Sequence, residues 1–336
     1  MTVVGPFGLS VRDQSLEADV QAGLAAVEEG LLEATKSEVP FITEAAQHLV
    51  RAGGKRLRPL LVMLAAQFGD PHAPGVVPSA VVVELTHLAT LYHDDVMDEA
   101  DVRRGVESAN SRWDNSVAVL TGDFLFARAS HILADLGPEA VRIQAEAFER
   151  LVTGQILETA GPRDGRDPIE HYLDVLGGKT GSLIAVAGRF GAMMSGADET
   201  VVDVLTQYGE RLGVAFQLAD DVLDIASDTH ESGKTPGTDL REGIPTLPVL
   251  YVQAQAAAEG KPEDLALRDL LADDLTDDTR HAKALAGLRV HPALEQARRD
   301  SVRYAEEARA LLAPLPECGA KAALVQLCDA VVHRAG

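Results

Sequence analysis

Aromatic residues make up only 4% of this 336-residue chain, and cysteine occurs only twice. A β-sandwich draws heavily on aromatic and β-branched strands, so the first shortage counts against one. The hydrophobic fraction of 46%, carried mainly by Ala, Val and Leu, suits closely packed helices and is ample for a large core. Cys318 and Cys328 are too few for a disulfide framework or a Cys-rich zinc site. They fit a reduced cytoplasm, with both thiols expected inside a C-terminal helix. Positive charge is short as well: 30 Lys and Arg stand against 52 Asp and Glu, a formal net charge of −22. Nucleic acid calls for a basic stripe, and there is none, so no nucleic-acid partner is expected. Uninterrupted apolar runs long enough to cross a bilayer are missing, which argues against a membrane span. No basic segment precedes an early apolar stretch, so no signal peptide is read.

What is present is helical periodicity. Apolar positions recur at helical spacing from about 12 to 36, at Val20, Leu24, Val27, Leu31 and Leu32. Shorter helices are predicted near 41–51 and 57–69, and a long one from Ser79, a candidate N-cap, to about Glu99. Others follow near 112–135, 138–160, 168–195, 198–226 and 246–335. Residues 1–10 read as a loose tail. The polar, Gly- and Pro-rich stretch 227–246 reads as an active-site loop, because helical patterning resumes directly after it. The expectation is one all-α domain over 1–336.

Two acidic clusters carry the chemistry. In Asp94-Asp95-Val96-Met97-Asp98 the first and last carboxylates project from one helical face, one turn apart. Like charges so placed repel by about 0.2–0.5 kcal/mol, and they sit at the negative end of the helix dipole. Mg²⁺ removes both penalties, since it takes carboxylate oxygens and keeps water or phosphate in its remaining positions. The pattern returns at Asp220-Asp221-Val222-Leu223-Asp224, again late in a helix. If the two clusters face each other across a bundle, a polyphosphate can be held between them through several metal ions. Solvated acidic helix ends are the plain alternative for either cluster alone; matching spacing and placement weigh against it for both.

The few cations are bunched. Gly53-Gly54-Lys55-Arg56-Leu57-Arg58-Pro59 sets two glycines before three cations, which allows close backbone approach and a bidentate grip on phosphate. Arg103-Arg104-Gly105 follows the first acidic cluster closely enough to share its pocket. Helix capping followed by surface charge, and local salt bridging, are the respective alternatives. Lys179-Thr180, Phe216-Gln217 and Lys234 are weaker single points. His87 shares a helical face with Asp94, although a lone histidine is more often a core residue than a ligand.

In this order, GGKRLRP at 53–59, HDDVMD at 93–98, RRG at 103–105, GD at 122–123, GGKT at 177–180, FQLADDVLD at 216–224 and GK at 233–234 resemble the trans-isoprenyl diphosphate synthases. The resemblance covers most of the chain. It implies an all-α, orthogonal bundle of ten or more helices around a deep central cavity, assembled as a homodimer. It implies Mg²⁺-dependent condensation of isopentenyl diphosphate, head to tail, with an allylic diphosphate. Asp94, Asp98, Asp220 and Asp224 would hold three Mg²⁺ ions, with Asp95 and Asp221 in support. Arg103, Lys179 and Lys234 would bind the allylic diphosphate, with Thr180 and Gln217 beside the reacting carbons. Lys55, Arg58, His87 and Arg104 would bind isopentenyl diphosphate. The chain departs from the pattern at Ile244, where many members carry Lys; Lys234 and Arg241 are expected to compensate.

Product length would depend on what floors the cavity beneath Asp94. Ala89, Thr90 and Thr86 are small, where short-chain members place aromatic rings. A long-chain product of the kind used for quinone side chains is therefore expected, with geranylgeranyl diphosphate as the alternative and a transient membrane contact for product release. A class I terpene cyclase has no need of GGKRLRP and RRG. A non-catalytic subunit of a heteromeric synthase would usually lose one acidic cluster.

Overall fold

A computed structural model describes residues 2–4, 7–11, 13–227 and 236–332. Helices dominate it: α1 (Gln14–Ala34), α2 (Pro40–Arg51), α3 (Leu57–Ala66), α4 (Val76–Met97), α5 (Ala109–Arg112), α6 (Asn115–Leu136), α7 (Pro138–Ala160), α8 (Pro168–Leu176), α9 (Ser182–Met194), α10 (Glu199–Ala226), α11 (Thr238–Arg241), α12 (Leu247–Glu259), α13 (Pro262–Leu271), α14 (Asp278–Val290), α15 (Pro292–Leu311) and α16 (Gly319–Val332). A π-helical turn, Gly177–Gly181, links α8 to α9.

Two compact units divide the chain. The first comprises 1–149, 182–209 and 311–327; the second comprises 150–181, 210–310 and 328–336. In the first, α4 is the central element and packs against α1, α3, α6 and α9. Its run Ser79–Thr86 is buried throughout, as a helix enclosed by neighbours must be. Around it, α1 buries Leu16, Val20, Val27 and Leu31 at helical spacing, and Asp13 caps its first turn by accepting from the Ser15 and Leu16 amides. In the second unit, α12 packs on α8 and α13, and α11 packs on α14.

Several expectations are corrected. Residues Thr2–Val4 and Leu9–Val11 form an antiparallel hairpin, β1–β2, where a loose tail is expected. Contact with α1 and the burial of Leu9 supply the packing that an isolated two-stranded ribbon lacks. Ser79 is not an N-cap: α4 begins at Val76, and the Ser79 hydroxyl donates to the Val76 carbonyl at 2.8 Å. Within 227–246, Thr238–Arg241 makes a single helical turn. Cys328 is buried, but Cys318 precedes α16 and is exposed. Helix α6 is by length and composition apolar enough to cross a membrane, and only a third of that stretch is buried within the chain.

Candidate active site

The segment between α2 and α3 is shaped by backbone conformations that most residues avoid. Gly53 (φ +81°) and Gly54 (φ +146°) turn the chain, and Arg56 enters α3 in the left-handed region at φ +46°. Gly54 is required for a second reason: a Cβ there would lie 2.9 Å from the Arg104 Cζ, so the guanidinium rests on bare backbone. Tyr92 of α4 holds α2 in place, its hydroxyl donating to the Ala45 carbonyl at 2.6 Å and accepting from the Leu49 amide at 3.2 Å. Arg104 and Gly105 form the turn between strands β3 (Val102–Arg103) and β4 (Val106–Glu107), both at positive φ (+54° and +77°), as a tight two-residue hairpin demands. Left-handed non-glycine residues cost free energy and gather where function over-determines them. Two of the four among the described residues are these arginines.

Arg56, Arg58, Arg104 and His87 gather about Glu84, a carboxylate only 1% exposed in the middle of α4. Arg56 donates Nη1 to Glu84 at 2.9 Å and Nε to Glu28 of α1 at 2.5 Å, with the Val50 carbonyl taking Nη2 at 3.0 Å. Arg104 donates Nη1 to the Gly53 carbonyl and sets Nη2 3.7 Å from Glu84. Burial pushes the Arg58 guanidinium down to about 10, Arg104 adding to the fall and Glu84 opposing it. The His87 imidazole is held well below its ordinary value by burial and by the nearby Arg58 and Arg104. The buried Nε of Arg58 donates to no protein acceptor. Positive charge so crowded, with one carboxylate shared among several guanidiniums, is stabilised by a bound anion. Lys55 is exposed at the edge of this cluster.

Along α4, His87, Thr90, Leu91, Asp94 and Asp98 keep solvent access, while Thr86, Ala89 and Asp95 are buried. These five recur every three or four residues and form one stripe running from the arginine cluster to the acidic end, where His93, Val96 and Met97 beside it are accessible as well. Asp95 is fully buried and pairs with Arg103, Nε to Oδ1 at 2.5 Å. Burial pushes its carboxyl up against the opposing pull of Arg103. The Arg103 Nη2 lies 3.8 Å from Asp98. Thr86 accepts from Gln144 of α7 at 2.9 Å.

In the second unit α10 repeats the pattern: Phe216, Gln217, Asp220 and Asp224 keep access, while Asp221 is 4% exposed. The π-turn brings Thr180 to Gln217, its hydroxyl donating to Oε1 at 3.2 Å. Such turns are rare and frequent at functional sites. Lys179 pairs with Glu158 of α7 at 2.7 Å. The backbones of α7 and the π-turn nearly touch, since a Cβ on Gly154 would lie 2.7 Å from the Lys179 nitrogen. Asp224 accepts from the Thr238 and Asp239 amides, both at 3.2 Å, and so caps α11. Arg241, expected to compensate for Ile244, has its guanidinium against Asp278 at 2.9 Å and the Thr276 carbonyl at 3.0 Å. Lys234 lies outside the described residues.

The first unit thus brings Lys55, Arg58, His87 and Arg104 together and sets Asp94, Asp98 and Arg103 along the same stripe. The second joins Thr180 to Gln217 and sets Asp220 and Asp224 on α10. Glu84 and Glu158 are missed by the sequence reading. Glu84 has a signal of its own, a lone carboxylate inside the apolar run from Ala80 to Leu85.

Residues 39–287 match the polyprenyl synthetase family. The chain is 48% identical over 330 residues to a nonaprenyl diphosphate synthase of Mycobacterium tuberculosis, covering 98% of this chain and 97% of that one. Among solved structures it resembles a geranylgeranyl pyrophosphate synthase of Corynebacterium glutamicum, complexed with calcium and isoprenyl diphosphate (47% identity, TM-score 0.86, covering 97% of this chain and 99% of that one). It also resembles a decaprenyl diphosphate synthase of Rhodobacter capsulatus (36% identity, TM-score 0.86, covering 96% and 99%). With its all-α architecture, arginine cluster and paired acidic helix ends, the chain belongs to the polyprenyl synthetase family.

Proposed function

We propose that the chain is a Mg²⁺-dependent prenyltransferase that condenses isopentenyl diphosphate, head to tail, with an allylic diphosphate to make a long all-trans polyprenyl diphosphate. The observation that carries this is the cluster of Arg58, Arg104 and His87 around Glu84, joined by one accessible stripe to Asp94 and Asp98. A cationic pocket for one diphosphate next to carboxylates suited to a metal is what a two-diphosphate reaction requires. The whole chain acts as one synthase domain, in keeping with relatives matched end to end.

Asp94, Asp98, Asp220 and Asp224 supply hard oxygen donors for Mg²⁺. Paired carboxylates of this kind suit magnesium, which is held by one or two carboxylates together with water and substrate phosphate. Bound there, three Mg²⁺ ions would neutralise charge on the departing diphosphate. The protein groups do the remainder. Arg103 and Lys179 bind the allylic diphosphate; Lys55, Arg58, Arg104 and His87 bind the isopentenyl diphosphate. When the allylic C–O bond breaks, its electron pair leaves with diphosphate and an allylic cation remains. Dipoles of Thr180 and Gln217 stabilise that cation without attacking it. The isopentenyl double bond supplies the pair for the new C–C bond, and the proton lost afterwards goes to a diphosphate oxygen.

Small Thr90 on the accessible stripe and the nonaprenyl and decaprenyl relatives support a long product. The geranylgeranyl relative favours a shorter one as the second reading. The exposed apolar residues of α6, Val119 and Leu120, support a homodimer. The test is incubation of the purified chain with Mg²⁺, isopentenyl diphosphate and each allylic primer, with chromatography of the dephosphorylated products. Long polyprenols are expected, and Asp94→Ala or Asp220→Ala should cut turnover by more than about a hundredfold while the helical circular dichroism stays unchanged. No consumption of isopentenyl diphosphate by the wild type would end this reading.

A further inference from the structure

His48, half-buried on α2, has no part in the reaction described above, yet it bridges to the hairpin that carries Arg103 and Arg104. Its Nε2 lies 2.7 Å from the Glu107 carbonyl of β4, and its Nδ1 lies 3.4 Å from Arg112 Nη1 of α5. Arg112 is fixed in turn: Nη2 donates at 2.5 Å to Glu44, one turn before His48 on α2, and the guanidinium lies 4.6 Å from the Trp113 ring centroid. The His48 ring stands against the same indole, with centroids 5.2 Å apart.

Donor and acceptor inventory fixes the arrangement of this ring. A backbone carbonyl only accepts and a guanidinium only donates, so Nε2 carries the proton and Nδ1 presents its lone pair. Both neighbours select the same tautomer, with Nε2–H donating to Glu107. Glu107 pairs with Val102, and Val106 with Arg103, so the bond acts on the backbone that presents Arg104 at its turn. Thr43, Gln47 and Arg51 of α2 and Val106 and Glu107 of β4 line a cavity of about 590 Å³. His48 therefore crosses a gap that packing leaves open.

Two other ties differ in kind. Arg104 reaches the end of α2 through the Leu49 carbonyl at 3.2 Å and the Gly53 carbonyl, but those are N–H groups that a diphosphate would claim. Arg103 pairs with Asp95 and so ties β3 to α4. The His48 bond ties β4 to α2, whose end leads directly into the segment of Lys55 and Arg58, and it uses no group that substrate needs.

We infer that His48 is a positioning residue for isopentenyl diphosphate: its bond to the Glu107 carbonyl holds the Arg104 hairpin in place against Lys55 and Arg58 while the Arg104 guanidinium exchanges carbonyl partners for phosphate. The inference rests on the prenyltransferase reading. His48 acts through the hairpin backbone and needs no contact with substrate. Without its bond, β4 can shift across the cavity once Arg104 turns to the ligand, and binding energy is spent on ordering the hairpin.

The test is His48→Leu beside His48→Gln, whose side-chain NH₂ can reach the same carbonyl. His48→Leu should raise KM for isopentenyl diphosphate by about tenfold, the scale of one lost hydrogen bond. In the same variant kcat and KM for the allylic diphosphate should stay within about twofold, since Arg103 keeps its anchor on α4. His48→Gln should hold KM for isopentenyl diphosphate within about threefold of the wild type. An unchanged KM for isopentenyl diphosphate in His48→Leu, an equal rise for both substrates, or a His48→Gln as impaired as His48→Leu would overturn the inference. A second readout needs no turnover. The side-chain nitrogen-15 spectrum, with the His48 signals assigned by their absence in His48→Gln, should show the proton on Nε2. A proton on Nδ1 alone would also overturn the inference. A wild type that consumes no isopentenyl diphosphate would instead remove the prenyltransferase reading, and the ring spectrum would still decide the bond to Glu107.

Discussion

Glu84 governs more of the first unit than any residue the motifs mark. It is the shared counter-charge of Arg56 and Arg104, and Arg56 in turn anchors the start of α3 through Glu28, Val50 and Glu84. Its replacement by Gln keeps the shape and removes the charge, which leaves buried guanidiniums uncompensated. Breaking a buried ion pair on one side costs about 3–5 kcal/mol. Glu84→Gln should therefore lower the urea midpoint clearly and raise KM for isopentenyl diphosphate by about tenfold, while an unchanged KM would mean that Arg104 keeps its place without the carboxylate. The same reasoning separates the three cations of the Lys55–Arg58 segment. All look alike in sequence, but Arg56 is spent on structure, Arg58 is half-buried with a buried, unpartnered Nε, and Lys55 is exposed.

Helices α4 and α10 share a design in which the middle aspartate of each acidic cluster points inward and the outer two keep access. The helical period dictates that Asp94 and Asp98 share a face, but not which face meets solvent. Packing of α4 against α1, α3, α6 and α9 leaves the face of His87, Thr90, Asp94 and Asp98 as the accessible stripe. That distinction matters for product length. Thr90 lies on this stripe, whereas Ala89 is fully buried. Thr90→Phe should shorten the product with little loss of stability. Ala89→Phe should first cost about 1–3 kcal/mol through overpacking, read as a lower thermal midpoint. Equal product lengths for Thr90→Phe and wild type, by chromatography of the dephosphorylated products, would show that the growing tail does not follow this stripe.

Beyond the single chain, α6 carries the feature that supports the proposed homodimer. Leu120 is 65% exposed and Val119 39%, on a helix whose other face is packed on α4. A large apolar side chain so exposed is suited to burial against a second copy of the chain. Leu120→Asp should shift sedimentation from dimer to monomer; a monomeric wild type would remove the homodimer from the reading.

Helical architecture, the order of the motifs and the pairing of carboxylates one turn apart were legible in the amino-acid sequence, because helical period and charge spacing are local properties. The hairpin that presents Arg104 was foreshadowed only by Gly105, and the bond from His48 to Glu107 by nothing local, since the two lie on separate elements. Tertiary structure alone decided which cation is structural and which stays exposed, which aspartate is buried, and that Arg241 is tied to Asp278. Those outcomes depend on which groups lose water and which partners lie across a helix interface. Residues far apart in the chain set both, and their spacing in sequence carries no record of it.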